Sequence, residues 1–170
     1  MKASEPRAGG AQWIVSALTL YEGPLLRYAA RLLGDVDRAR DVVQDTFLRL
    51  CREDPAALDG HLRQWLFAVC RNRALDIHRK EGRVQPLDEK SLDAQPSPLP
   101  GPARLLEGRD DLQAVLRTMA TLPASQQEVL RLKFQAGLSY QEIAEVTGRS
   151  VSHVGVLLHD GLKSIRERVR

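Results

Sequence analysis

Between Val84 and Ala103 the chain holds five of its nine prolines (Pro86, Pro96, Pro98, Pro100 and Pro102), and no apolar period crosses the stretch. Proline lacks a backbone N–H and its ring clashes with the preceding turn, so this segment cannot be the interior of a helix or a central strand. Proline-rich chain extends at about 3.1 Å per residue and can separate two bodies by tens of ångströms. A chain of 170 residues cut in this way leaves two small domains and excludes a large multidomain enzyme. Aromatic residues are only 5%, while Leu, Ala, Arg, Val and Glu dominate, a mixture that favours helix over sheet. The expected fold is therefore all-α: a tail over 1–10, a helical domain over 11–83, a linker over 84–103 and a second helical domain over 104–170.

Apolar spacing supplies the elements. From Trp13 to Leu33, Ile14, Leu18, Leu25, Leu26, Ala29, Leu32 and Leu33 recur at helical intervals, with a break or kink expected at Gly23-Pro24. Asp35 is placed to cap a second helix whose stripe is Ala39, Val43, Phe47 and Leu50, ending before Asp54-Pro55. A third helix is expected from about His61 to Arg79, with Leu62, Leu66, Val69, Cys70 and Ile77 inward. Beyond the linker a helix is expected from about Arg104 to Thr121. Ser125 with Glu128, and Ser139 with Glu142, each stand at capping-box spacing. Gly137 should end the first of these helices. Ser150 should cap a last helix with the stripe Val151, Val154, Leu158, Leu162, Ile165 and Val169.

The net charge of +3 is too small to imply a polyanionic partner unless the charge is clustered. It clusters between Arg71 and Arg83, where RNRALDIHRKEGR carries Arg71, Arg73, Arg79, Lys80 and Arg83 against Asp76 and Glu81. Trp65 and Phe67 precede the cluster, and basic residues beside aromatic ones suit single-stranded nucleic acid, where bases stack and phosphates are neutralised. A tryptophan at helical spacing is more often core. Asn72 is better placed to hydrogen-bond an unstacked base edge. On the second helix Asp41, Gln44, Asp45 and Leu48 line one face, which reads either as a solvated surface or as a dock for a basic helical partner.

Ala144, Gly148 and Val154 have helix-turn-helix spacing: a small residue where helices cross, a turn glycine, and an apolar lock. An ordinary helical hairpin is the plain alternative. If the last helix enters a major groove, Ser150, Ser152, His153 and Val156 are the readers, and Arg149 and Lys163 hold phosphates. Gly155 and Gly161 inside that helix suggest close approach of a neighbour or a locally weak helix. Cys51 and Cys70 lie in apolar-periodic stretches and read as buried free thiols of a reducing compartment, hence the cytoplasm. No signal peptide and no membrane span are expected, because the longest uncharged run, Ala8 to Tyr21, is too short. The four histidines have no metal-ligand spacing and no phosphate loop is present, so neither a metal, a cofactor nor an enzymatic activity is expected.

The runs DRARDVVQDTFLRL (Asp37 to Leu50), WLFAVCRNRALDIHRK (Trp65 to Lys80) and LPASQQEVLRLKFQAGLSYQEIAEVTGRSVSHV (Leu122 to Val154) resemble, in order and spacing, bacterial extracytoplasmic-function sigma factors. The resemblance implies a region 2-like domain that docks on the clamp helices of the largest RNA polymerase subunit and melts the −10 element. It implies a region 4-like domain that meets the flap and reads the −35 element. Carried over by residue, polymerase binding falls on Asp41, Val42, Gln44, Asp45, Phe47 and Leu48. Contact with the −10 element falls on Trp65, Arg71, Asn72, Arg73, Asp76, Arg79, Lys80 and Arg83. Contact with the −35 element falls on Arg149, Ser150, Ser152, His153, Val156 and Lys163. Promoter DNA and core polymerase are then the partners, with room for an anti-sigma protein. Many relatives carry Lys and Arg within the recognition helix, where this chain has Gly155, Val156 and Leu157. A stand-alone helix-turn-helix regulator, with a ligand or dimerisation module in front, is the competing function, and polymerase binding separates the two.

Overall fold

A computed structural model describes residues 8–81 and 110–169. The linker and the basic residue Arg83 lie outside them. Among the described residues every regular element is helical: α1 (Ala8–Leu33), α2 (Val36–Leu50), a 3₁₀ turn (Pro55–Leu58), α3 (Leu62–Lys80), α4 (Asp110–Thr121), α5 (Ala124–Phe134), α6 (Tyr140–Thr147) and α7 (Val151–Arg168). The chain divides into two compact units, 1–77 and 78–170, the division falling in the last turn of α3 and ahead of the proline-rich stretch.

In the first unit α1 begins at Ala8, inside the stretch read as a tail, although Gly9 and Gly10, poor helix formers, stand in its first turn. It also runs unbroken through Pro24, against the expected interruption. Proline removes one hydrogen bond, to the carbonyl of Leu20, and Leu20 is 63% exposed, so that carbonyl lies on the wet side of the helix. Ala17 on one side of the proline, and Leu25, Tyr28 and Ala29 on the other, are all buried, and α1 packs along α2. Asp35 caps α2 as expected, its carboxylate accepting from the backbone N–H of Asp37 and Arg38. Ala39, Val42, Val43, Thr46, Phe47 and Leu50 form its buried side. Helix α3 joins through Phe67, whose ring meets Tyr28 edge to face at 5.3 Å between centroids. Its buried row is Leu66, Phe67, Cys70, Arg71, Ala74 and Leu75, while Leu62, Val69 and Ile77 are only half-buried.

The two cysteines part company. Cys70 is fully buried under a hydrogen bond with Thr46, and burial pushes its thiol up to about 12, whereas Cys51 is exposed. The apolar spacing that predicts burial of both holds only for Cys70. Position 51 follows the last turn of α2, where the chain leaves the core. In the folded protein a thiol reagent at pH 8 should label Cys51 and spare Cys70 until denaturant is added. The raised thiol has a stability consequence of fixed sign. Its contribution is intact below the unfolded value near 9 and is lost as the pH rises from there toward about 12, because the unfolded thiol ionises first. Replacing Cys70 by alanine should flatten that part of the stability profile. Urea midpoints measured across the alkaline range check it.

In the second unit the capping box at Ser139 and Glu142 forms: the Ser139 hydroxyl accepts from the Glu142 N–H, and the Glu142 carboxylate accepts from the Ser139 N–H at 2.6 Å. The one expected at Ser125 and Glu128 does not. Helix α5 starts two residues earlier, with Pro123 at the cap and no side-chain cap bond, and both Ser125 and Glu128 are buried. Gln127 does the local work: its amide donates to the Leu122 carbonyl at 2.8 Å, its oxygen accepts from Arg131, and the end of α4 is tied to α5. Arg168, at the end of α7, donates to the Thr121 hydroxyl at 2.6 Å, which joins the last turns of α7 and α4.

Candidate functional site

Gly148 ends α6 with φ of +71°, a left-handed conformation that glycine adopts without strain. The chain then turns through Arg149 to Ser150, whose hydroxyl accepts from the His153 N–H and starts α7. Ala144, where the helices cross, and Val154, which locks α7 in place, are both buried. The helix-turn-helix spacing thus has its geometry. Along α7, Val154, Leu157, Leu158 and Gly161 face inward, and Val151, expected in the stripe, is instead 48% exposed. As the first residue of the helix it precedes the packed turns. Gly161 answers the question raised by its sequence position, since a Cβ there would lie 2.9 Å from Cδ1 of Leu130 on α5. Gly155 has only ordinary clearance, 3.9 Å from the Tyr140 ring.

The outer side of α7 carries Ser150, Ser152, Val156 and Lys163, all exposed, with His153 half-buried. These are the groups able to meet a groove: hydroxyls and an imidazole for base edges, an apolar contact for a thymine methyl, one ammonium for a phosphate. Arg149 does not join them. Its side chain is 5% exposed and its Nη1 donates to Oε2 of Glu128 at 3.1 Å. The guanidinium turns inward because the carboxylate of Glu128, which sequence spacing would have put to a cap, is buried on the facing helix.

In the first unit the exposed side of α2 carries Asp41, Gln44, Asp45 and Leu48, the last 55% exposed. Val42 and Phe47 are turned into the core. Asp45 is held by Arg73 of α3, Nε to Oδ2 at 2.9 Å. Beside this face a groove of about 510 Å³ runs between α1 and α2, lined by Ile14, Leu18 and Leu26 on one wall and Phe47, Leu48 and Cys51 on the other. The sequence reading passed over this groove, because its residues scatter over two helices.

On α3, Asn72, Arg79 and Lys80 are exposed, Trp65, Arg73 and Asp76 are half-buried, and Arg71 is buried at 7%. The basic cluster is therefore split by the helix itself. Arg71 lies one position from Asn72, about 100° away around the axis, on the side that faces the core. Among the described residues no group of His, Cys, Asp and Glu is arranged to hold a metal, and no helix is long and apolar enough to cross a membrane.

Comparison with known proteins agrees with this division. Residues 18–84 match the family described as Sigma-70 region 2, and residues 112–165 match Sigma-70, region 4. The chain is 32% identical over 147 residues to the ECF RNA polymerase sigma factor SigL of Mycobacterium tuberculosis, covering 84% of this chain and 80% of SigL. It is 32% identical over 146 residues to SigE of Mycolicibacterium smegmatis, also an ECF RNA polymerase sigma factor, of whose length it spans 55%. In fold it is similar to the sigma factor RpoE of Bartonella quintana, solved with the anti-sigma factor NepR, at a TM-score of 0.65 and 24% identity over 93% of this chain and 97% of that one. On these matches and this architecture, the chain belongs to the ECF RNA polymerase sigma factors and is a transcription initiation factor rather than an enzyme.

Proposed function

We propose that residues 11–83 dock on core RNA polymerase and open the −10 element, that residues 104–170 read the −35 duplex, and that the linker over 84–103 lets both act on one promoter. The observation that carries the reading is the division of α2: six residues build the core, and Asp41, Gln44, Asp45 and Leu48 form an exposed polar face with an apolar centre. Such a face suits a basic helical partner such as the clamp helices of the largest subunit. Val42 and Phe47 support it from beneath. In the second unit the flap is the corresponding polymerase contact. Run-off transcription with purified core polymerase tests the whole assignment. Promoter-dependent transcripts should require the added chain, and a chain that binds promoter duplex without core would instead be a stand-alone regulator.

Within the first unit, Asn72, Arg79 and Lys80 are the exposed groups of α3 suited to a separated strand, with Trp65, Arg73 and Asp76 at its border. Arg71 acts as a packing residue. Replacing Asn72 by alanine should weaken promoter opening by about 1 to 3 kcal/mol, the worth of one base contact, with core binding unchanged. Permanganate footprinting decides it, and normal strand opening by the variant would remove the base-capture role. An anti-sigma partner, of the kind seen with RpoE, is part of the same proposal, as is a cytoplasmic location beside polymerase and chromosome.

A further inference from the structure

Two opposite charges are buried together in the second unit. The side chains of Glu128 on α5 and Arg149 in the turn before α7 are 4% and 5% exposed and meet at 3.1 Å. Burial strips both ions of hydration, and the cost is offset only while the pair keeps its geometry. Away from water the attraction is also little screened by salt.

The position of the pair gives it a consequence. Arg149 stands between the turn glycine and Ser150, the N-cap of α7, and its own N–H donates to the Ala144 carbonyl at 3.1 Å. Its main chain is thereby tied to α6 and its side chain to α5. Farther along, Gly161 lets α7 settle against Leu130, so α5 holds α7 at two separated points. Together with the packing of α7 on α6 and the bond from Arg168 to Thr121 of α4, these points fix both the position of the helix and its rotation. The first turn, with Ser150, Ser152 and His153, takes its orientation from the nearer one.

We infer that Glu128 and Arg149 are positioning residues for duplex reading: the buried pair sets the angle at which the first turn of α7 is presented, and Arg149 promotes selectivity without touching phosphate. This rests on the reading of α7 as the helix that enters the −35 duplex. The two roles open to Arg149 differ in sequence dependence and in salt dependence. A phosphate contact adds about 0.9 to the slope of log affinity against log salt and strengthens all sequences alike. A positioning pair leaves the slope alone and acts on the preferred sequence. Glu128 is sharper still, because removing a negative charge would on electrostatic grounds tighten DNA binding, whereas loss of positioning weakens selective binding.

The test uses the full chain assembled with core polymerase and duplexes selected from a random library by the wild-type holoenzyme. Glu128→Gln and Arg149→Met should each lower the preference for selected over scrambled upstream sequence roughly tenfold, with the salt slope unchanged. The double variant Glu128→Met/Arg149→Met, which replaces both charges by apolar chains, should recover most of the preference. A slope reduced by about 1 in Arg149→Met, with uniform weakening, would make this residue a phosphate contact and overturn the inference. Tighter binding by Glu128→Gln overturns it too. If circular dichroism shows that the single variants lose the second unit, the double variant decides: folded with preference restored it supports the inference, and folded without preference or unfolded it overturns it. A wild-type holoenzyme that enriches no upstream motif overturns the duplex-reading assignment and this inference with it, whereas selection by wild type that the variants leave unaltered overturns the inference alone.

Discussion

Asp45→Arg should reduce affinity for core polymerase by about 100-fold or more while the helices stay formed. The carboxylate sits on the exposed side of α2 and is half exposed, as is its partner Arg73. An exposed pair of this kind contributes about 1 kcal/mol or less to folding, so its removal leaves the first unit intact. Reversal does more than removal. It sets an arginine against Arg73 and turns a docking charge into a repulsive one, and like charges facing each other across an interface cost several kcal/mol. Asp45→Asn, which only removes the charge, should fall between the two. Gel-shift or calorimetric titration with core polymerase measures the loss, and circular dichroism monitors the fold. Undiminished affinity of the folded Asp45→Arg protein would reject α2 as the docking helix.

Leu158→Ala should unfold the second unit. Leu158 is 1% exposed in the middle of α7, and truncating a buried leucine costs about 2 to 5 kcal/mol. The helices of the second unit, over 110–169, would at about 0.05 to 0.15 kcal/mol per residue be stable by on the order of 3 to 9 kcal/mol, so one such loss consumes much of it. The effect should be confined by the division of the chain. Core binding through α2 should persist, helicity should fall by the contribution of the second unit, and discrimination of upstream duplex should vanish. Thermal melts followed at 222 nm, with core titration on the same samples, separate these outcomes. A single cooperative melt with both functions lost together would show instead that the two units fold as one.

Much of the architecture was legible because its signals are local. The cap at Asp35, the box at Ser139 and Glu142, the turn at Gly148 and the cap at Ser150 each involve groups within four residues of one another, and each formed where the spacing placed it. The apolar stripe of α2 is likewise a property of one helix. The exposed row from Asp41 to Leu48 followed from it by subtraction, whereas the family resemblance rests on three sequence runs, and the comparisons bear it out.

The same local logic misplaced Pro24, Cys51 and Glu128. A proline breaks a helix unless long-range packing holds both sides of it, and the packing of α1 on α2 does so here. Ser125 and Glu128 have the spacing of a cap, yet the helix starts two residues earlier, at Pro123, and both are buried. Arg149 and Arg71 looked like phosphate ligands because an arginine in a basic or turn segment is usually wet. Whether such a side chain reaches outward depends on what faces it, and the carboxylate that faces Arg149 lies 21 residues earlier in the chain. The sequence alone determined which segments are helices, the caps at Asp35, Ser139 and Ser150, and most of the apolar sides, since a side-chain cap and 3.6-residue periodicity are settled within a turn. Only the tertiary structure decided which polar groups remain free for a partner, because burial of a charge is a property of the helices that meet around it.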